Sequence, residues 1–263
     1  MSILIVLLVS ALTSAVGFHM YIWFFSVGYG LSIAAIGAVL AVGFRQSLKL
    51  PELLACLLLI AYGLRLALFL LVREMKSPGY RKVLNPEMER SKKMPVIAKI
   101  MIWLLCFILY TLMTIPLYFR LQNGAPADGM LWAGLVIMAA GVILELAADL
   151  QKSRAKKKNS RRFVDTGVYR LVRCPNYLGE LLIWLGMLLT GTTAMQGAQQ
   201  WIPALLGFVL IMWVMFSGAR RLEIRQDRNY GEDPEYQEYV RTVPIILPFV
   251  PLYSVKKYPF LVA

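Results

Sequence analysis

The stretch RCPNYLGELLIWLGMLL, residues 173–189, sets a nine-residue apolar run directly behind Arg173, Asn176 and Glu180. Such a run reads as a helix entering hydrocarbon, and Asn176 and Glu180, four residues apart, share one of its faces. A carboxylate beside hydrocarbon costs on the order of a few kcal/mol, so an ionisable group there marks a site by default. The stretch therefore predicts a membrane helix with a built polar end, and the rest of the chain has to supply the partners of that end.

Working outward, six further apolar stretches match the roughly 17–25 residues that cross a bilayer as a helix. With residues 178–197 they predict seven spans, at 2–24, 27–44, 51–72, 95–119, 129–148, 178–197 and 201–218. The expected architecture is all-α: one polytopic membrane domain over residues 1–263 with seven transmembrane helices and cytoplasmic cofactor-binding loops. The composition agrees, since 59% of the 263 residues are hydrophobic, 16% are charged and the mean hydropathy is +0.62. Soluble domains carry about 25% charge. The first 25 residues lack a basic leader and their apolar run is too long for a signal peptide, so they are expected to remain as a span.

Orientation follows from the cations. Lys and Arg number seven between spans three and four, nine between spans five and six, and seven after span seven, against Arg45, Lys49 and Arg120 on the opposite side. The positive-inside rule then places the N-terminus outside, and the loops 73–94 and 149–177 and the tail 219–263 in the cytoplasm. The net charge of +13 is accounted for by topology and an anionic leaflet, which leaves no call for nucleic acid. Three scattered cysteines give neither a disulfide framework nor metal-ligand spacing.

Topology explains the number of charges but not their pattern. Glu145 and Asp149 share a face near the end of span five, Tyr62 and Arg65 share one inside span three, and Arg221, Arg225 and Arg228 recur at helical spacing after span seven. Arg65 lies about eight residues inside its apolar run, too deep for easy snorkelling, so it should face the bundle or a wet cavity. The loop after span five adds Lys156, Lys157, Lys158, Arg161 and Arg162. A cavity with guanidinium groups for phosphate and with Asp149, Asn176 and Glu180 for hydroxyls and a carboxamide suits an anionic nucleotide cofactor. No GxGxxG or GxxxxGK[ST] loop is present to hold it in a soluble nucleotide-binding domain.

The pieces YGLRLALFLLVRE (62–74), ELAADLQ (145–151), DTGVYRLVRCPNYLGE (165–180) and the ending LE, YQEYVRTVPIILPF (222–249) resemble the steroid 5-alpha-reductase family and related bacterial membrane proteins. The resemblance covers the chain from about residue 60 and is most specific at NYLGE. It implies seven transmembrane helices, a bacterial inner-membrane location, NADPH as cofactor, and saturation of a carbon–carbon double bond conjugated to a ketone in a lipophilic, steroid-like substrate. Residue by residue, it implies that Asn176 and Glu180 contact the nicotinamide side and Asp149 a ribose, that Tyr62 hydrogen-bonds the substrate carbonyl, and that Arg65 serves a phosphate. Lys156, Arg162, Tyr169, Arg170, Arg173 and Arg221 fall in the matching cofactor segments. The family's Gln-Glu pair has no equivalent here; Glu52, ten residues before Tyr62, is the nearest acid that could assist the tyrosine, and His19 is the other candidate.

Two other readings fit parts of the chain. Membrane methyltransferases of the isoprenylcysteine or phospholipid type, which bind S-adenosylmethionine, share an Arg-x-Pro-x-Tyr stretch, here RCPNY, although Cys174 stands where they usually show His. A sterol- or lipid-binding protein without turnover would keep the bundle alone. The expected partners are a lipophilic small molecule and membrane lipid, with no nucleic acid and no bound metal.

Overall fold

The long apolar stretches become helices because intrahelical hydrogen bonding is the only way a short segment can satisfy its whole backbone away from water. The structure, a computed structural model, describes residues 1–76 and 78–261, and the side chains of these apart from 78–84. It contains α1 (Ile3–Ser14), α2 (Val27–Gly43), α3 (Leu50–Lys76), α4 (Pro78–Lys93), α5 (Val96–Asn123), α6 (Gly129–Lys158), α7 (Pro175–Thr192), α8 (Gly197–Tyr230) and α9 (Pro234–Thr242), with short 3-10 turns between. There is no strand among the described residues, so the all-α expectation is met.

Among the described residues, five segments are long and apolar enough to cross a membrane: Tyr21–Gly43, Leu50–Lys76, Val96–Asn123, Gly129–Lys158 and Gly197–Tyr230. The two other expected spans fall short of that measure. The first is broken, since α1 gives way to 3-10 turns at Ala15–Phe18 and Tyr21–Phe25. The sixth starts at Pro175 rather than 178 and ends at Thr192 rather than 197, so Asn176 and Glu180 lie inside it and dilute its hydropathy. Three segments drawn from the sequence as loops or tail are largely helical: α3 runs on to Lys76 and meets α4, α6 continues to Lys158, and α8 carries the tail to Tyr230 without a break. Hydropathy ends a span at the first charges, whereas α-helical hydrogen bonding does not depend on the surroundings.

The chain packs as two compact units. The first comprises Met1–Leu135 and Met187–Phe208. In it α2 and α3 cross at Gly30 and Gly63, where a Cβ on either would lie 2.6 or 2.4 Å from the other's carbonyl oxygen. Backbones that approach so closely gain dispersion contact that larger residues would forbid. α5 contains Pro116, which cannot donate to the Leu112 carbonyl. Gly191 and Gly207 pack against this region, with would-be Cβ atoms 2.6 Å from Pro116 Cβ and from the Leu112 oxygen.

The ends of the first unit are tied by polar contacts. At one end α4 lies against the 21–25 turn, with the Tyr21 hydroxyl bound to Glu87 and the Tyr21 amide donating to Ser91 Oγ at 3.1 Å, while Trp23 Nε1 donates to Glu74 of α3 at 3.1 Å. At the other, Arg120 is almost fully buried. It donates to the Pro126 carbonyl and Asp128 Oδ2 at 2.7 Å each, to Thr193 Oγ1 at 2.5 Å and to the Thr190 carbonyl. Asp128 also caps α6 by accepting from Leu131 N at 2.9 Å. Its carboxyl is held down to about 2: burial opposes this, but hydrogen bonds from Thr193 and Arg120 outweigh it. Arg120 is thus a clasp for the ends of α5, α6 and α7.

The second unit comprises Val136–Gly186 and the chain from Val209 onward. α6 and α7 cross at Gly141 and Gly179, whose would-be Cβ atoms lie 2.6 and 2.8 Å from the opposing carbonyl oxygens. The C-terminal segment after α9 folds back. Arg173 N and Cys174 N donate to the Pro244 and Ile245 carbonyls at 2.9 Å each, and Val255 N donates to Glu223 Oε2 at 3.0 Å. Ile245, Ile246, Val255 and Leu261 are buried by this strap.

Candidate functional site

In the second unit the polar end of α7 is built from three elements. α6 brings Asp149, two turns before its last residues. The loop 159–174 brings Tyr169, and it can lie close to α6 because Gly167 adopts φ 62° and leaves room for the Gln151 side chain, whose Oε1 would sit 2.2 Å from a Cβ at Gly167. Gln151 Oε1 then accepts from Val168 N at 2.9 Å, and Tyr239 Oη donates to the Tyr169 carbonyl at 2.7 Å. Finally the close crossing at Gly179 brings the first turn of α7 onto α6.

The result is a hydrogen-bonded cluster. Asn176 Nδ2 donates to Asp149 Oδ1 at 2.5 Å, and Tyr169 Oη donates to Asn176 Oδ1 at 3.2 Å. Burial, and then the Asp149 carboxylate, push the Tyr169 phenol well above its usual range, so it stays protonated. One turn on, Glu180 is buried and accepts from Trp184 Nε1 at 3.0 Å. Glu145, also buried, lies on α6 against Gly179, 3.1 Å from its would-be Cβ. Two buried carboxyls and a carboxylate–amide–phenol chain, placed among apolar helices, form an acceptor-rich surface suited to hydroxyl and amide donors.

Of the other expected contacts in this unit, Arg173, Lys156 and Arg162 already have protein partners. Arg173, 1% exposed, pairs with Glu223 Oε1 at 3.0 Å and donates to the Tyr253 carbonyl. Its Nε and Nη1 have no hydrogen-bond partner among the described residues. Lys156 Nζ donates to the Arg162 carbonyl at 2.5 Å and to Tyr230 Oη at 2.8 Å. Arg162 pairs with Asp165 at 2.9 Å and Glu235 at 2.5 Å, which raises its already high pKa. Arg170 and Arg221 are exposed. Cys174 is buried and its thiol is pushed up to about 12, chiefly by desolvation. No group of His, Cys, Asp or Glu suited to a metal occurs among the described residues.

In the first unit Tyr62, 1% exposed, has its hydroxyl 3.0 Å from that of Tyr29, and the Tyr29 ring packs on Tyr110 at 5.0 Å between centroids. Arg65 lies one turn further along α3 and is half-buried. Glu52 is buried in the first turn of α3. Ten residues at 1.5 Å rise put it about 15 Å from Tyr62 along the helix, so direct assistance to the tyrosine does not occur. His19 packs on Trp23, with ring centroids 5.2 Å apart. Tyr29, Trp184, Gln151 and Glu223 escaped the sequence reading. Tyr29 in VGYG was its only polar side chain between Ser26 and Ser32, which was the available signal.

A family described as "Protein of unknown function (DUF1295)" matches residues 19–243. Steroid 5-alpha-reductase DET2 of Arabidopsis thaliana is 30% identical over 120 residues, 44% of this chain and 40% of that protein, so the match spans less than half of the relative's length. No solved structure matches significantly.

Proposed function

The chain belongs to this family, which includes steroid 5-alpha-reductase-like proteins, and we propose that it is an NADPH-dependent membrane reductase acting on the conjugated double bond of a lipophilic, steroid-like enone. The observation that carries the reading is the Asp149–Asn176–Tyr169 chain with buried Glu180 one turn beyond it. Polar groups are rarely concentrated in apolar helices without a partner of matching chemistry. The residues fit a nicotinamide nucleotide: Asn176 and Glu180 for the carboxamide side, Asp149 and Tyr169 for ribose hydroxyls, and the two spare donors of Arg173 for a phosphate oxygen. Arg65 and Arg221 are proposed as further phosphate contacts, and the seven-crossing topology with a cytoplasmic C-terminus belongs to the same proposal.

Bound NADPH would supply the hydride that adds to the β-carbon of the enone, and the α-carbon would then take a proton from water to complete the saturation. As charge develops on the ketone oxygen, Tyr62 donates a hydrogen bond to it, the oxyanion-type stabilisation that is usually the largest single term. With an unperturbed pKa near 10, a phenol is a neutral donor at neutral pH. With the Tyr62 proton on the ketone oxygen, the Tyr29 hydroxyl, 3.0 Å away, would turn to donate to Tyr62 and hold it in place.

Detergent-purified protein should gain thermal stability with NADPH and not with S-adenosylmethionine, because a ligand that binds only the folded state raises apparent stability. Tyr62→Phe should keep the NADPH shift and lose about 10²–10³ in turnover of a 3-keto steroid enone, while Glu180→Gln should weaken the shift itself. Equal loss of the NADPH shift in both variants contradicts this division of roles. One observation favours methyl transfer as a second reading: the buried Arg173–Glu223 pair joins RCPNY to an acid of the tail. A shift with S-adenosylmethionine alone would select it.

A further inference from the structure

The strap that closes over loop 170–174 leaves a cavity of about 290 Å³ walled by Arg170, Leu171, Pro244, Phe249, Val250 and Tyr253. It lies at the low end of the roughly 300–1,000 Å³ of ligand pockets, large enough for a headgroup and the first methylenes of a chain but not for a dinucleotide. Its rim is unusual in two respects. Phe249 is 94% exposed and holds φ 64°, making it the one non-glycine residue with positive φ among the described residues. L side chains rarely adopt that conformation, which costs on the order of 1–3 kcal/mol. Secondly, among the described residues beyond Gly129 the large exposed hydrophobic side chains outside helices are Leu171, Phe249, Val250, Tyr253 and Phe260, all on this loop and strap.

The height of this patch along α8 is set by three hydrogen bonds. Arg220, the first charge after the apolar run of α8, donates to the Lys256 carbonyl at 3.2 Å and the Leu261 carbonyl at 3.1 Å, while Trp213, two turns deeper in that run, donates to the Phe260 carbonyl at 3.1 Å. The strap thus lies where the apolar stretch gives way to charge, which is headgroup level for a spanning helix. Arg170 lines the cavity itself, and exposed Lys257 lies further along the strap, whereas Lys256 pairs with Asp227. Basic groups at that level complement anionic lipid.

We propose that this cavity is a binding site for one anionic phospholipid of the surrounding bilayer, with its phosphate on Arg170 and its glycerol and first methylenes against Leu171, Phe249 and Val250. The proposal depends on the protein being membrane-embedded and not on its being a reductase.

The test titrates the detergent-purified full chain with dioleoyl phosphatidylglycerol, dioleoyl phosphatidylcholine or inorganic phosphate and follows thermal unfolding. Phosphatidylglycerol should raise the apparent Tm by about 5 °C near saturation, phosphatidylcholine by less than half of that, and phosphate not at all. The shift should vanish in Arg170→Gln and at least halve in Phe249→Gly. Glycine suits φ 64°, so Phe249→Gly should unfold no earlier than wild type without lipid, which separates lost binding from misfolding. Equal shifts with both lipids, or an undiminished phosphatidylglycerol shift in both variants, would overturn the proposal in favour of a non-specific annulus. A shift with phosphate alone would make it a free-anion site, and loss of the NADPH shift in Phe249→Gly would assign the cavity to the cofactor. Absence of any NADPH shift with the lipid pattern intact would refute the reductase reading alone.

Discussion

Removing the Arg120 guanidinium tests whether one buried cation holds three helix ends together. In Arg120→Met the side chain keeps most of its apolar volume and loses four hydrogen bonds, to the Thr190 and Pro126 carbonyls, Asp128 and Thr193. Four bonds at about 1 kcal/mol each would give about 4 kcal/mol. Breaking a buried ion pair by deleting one partner costs about 3–5 kcal/mol. Asp128 moderates both figures, because its side chain is 32% exposed and water can take over part of its charge. The expected loss is therefore about 3 kcal/mol. At about 2–4 °C per kcal/mol for chains of this size, the apparent Tm in detergent should fall by about 6–12 °C. Asp128→Asn should also destabilise, since it leaves Arg120 buried without its counter-charge, and the double variant should cost less than the sum of the singles. The depressed Asp128 pKa fixes the sign with pH. A carboxyl lowered in the folded state stabilises fully above its ordinary value near 4, and that contribution is lost as the pH falls from there through about 2. A fall below about 2 °C in Arg120→Met, or strict additivity in the double variant, would refute the clasp.

Three further outcomes follow from the second unit. Gly179→Ala puts a Cβ 2.8 Å from the Gly141 carbonyl oxygen; it should cost about 1–3 kcal/mol and weaken the NADPH shift through displacement of Asn176, whereas Gly129→Ala, with nothing within 4 Å, should unfold like wild type. Glu223→Ala strands the Arg173 charge and releases Val255 N; a loss of about 3–5 kcal/mol is expected, with faster tryptic cleavage at Lys256 and Lys257 on a gel, and an unchanged cleavage rate would show that the strap is held without it. With its thiol pushed up to about 12, Cys174 should resist maleimide at pH 8 until the chain unfolds; labelling of the native protein at this position, read by peptide mass, would contradict its burial.

Much of the candidate site was legible in the sequence because its signal is a violation of hydropathy. Asn176, Glu180 and Asp149 stand out in apolar surroundings, and helical spacing alone puts Glu145 on the Asp149 face. Less legible were the groups whose role depends on a distant partner. Lys156, Arg162 and Arg173 read as free cations for phosphate, yet Tyr230, Glu235 and Glu223 engage them from elements 60 or more residues away in the case of Lys156 and Arg162 and about 50 away for Arg173. Arg120 was counted only as an outside charge, and Glu52 was offered as the nearest acid to Tyr62 although ten residues of helical rise, about 15 Å, separate them.

By itself the sequence determined that the chain is helical and membrane-embedded, and that α7 opens with a polar turn, because water-to-lipid transfer and helical periodicity act on residues locally. Only the tertiary structure decided where the helices stop, which cations are committed to protein partners, and that residues 244–261 return as a strap over loop 170–174. Those outcomes depend on close backbone approach at Gly141–Gly179 and on hydrogen bonds between remote segments, and such pairings leave no mark in local composition.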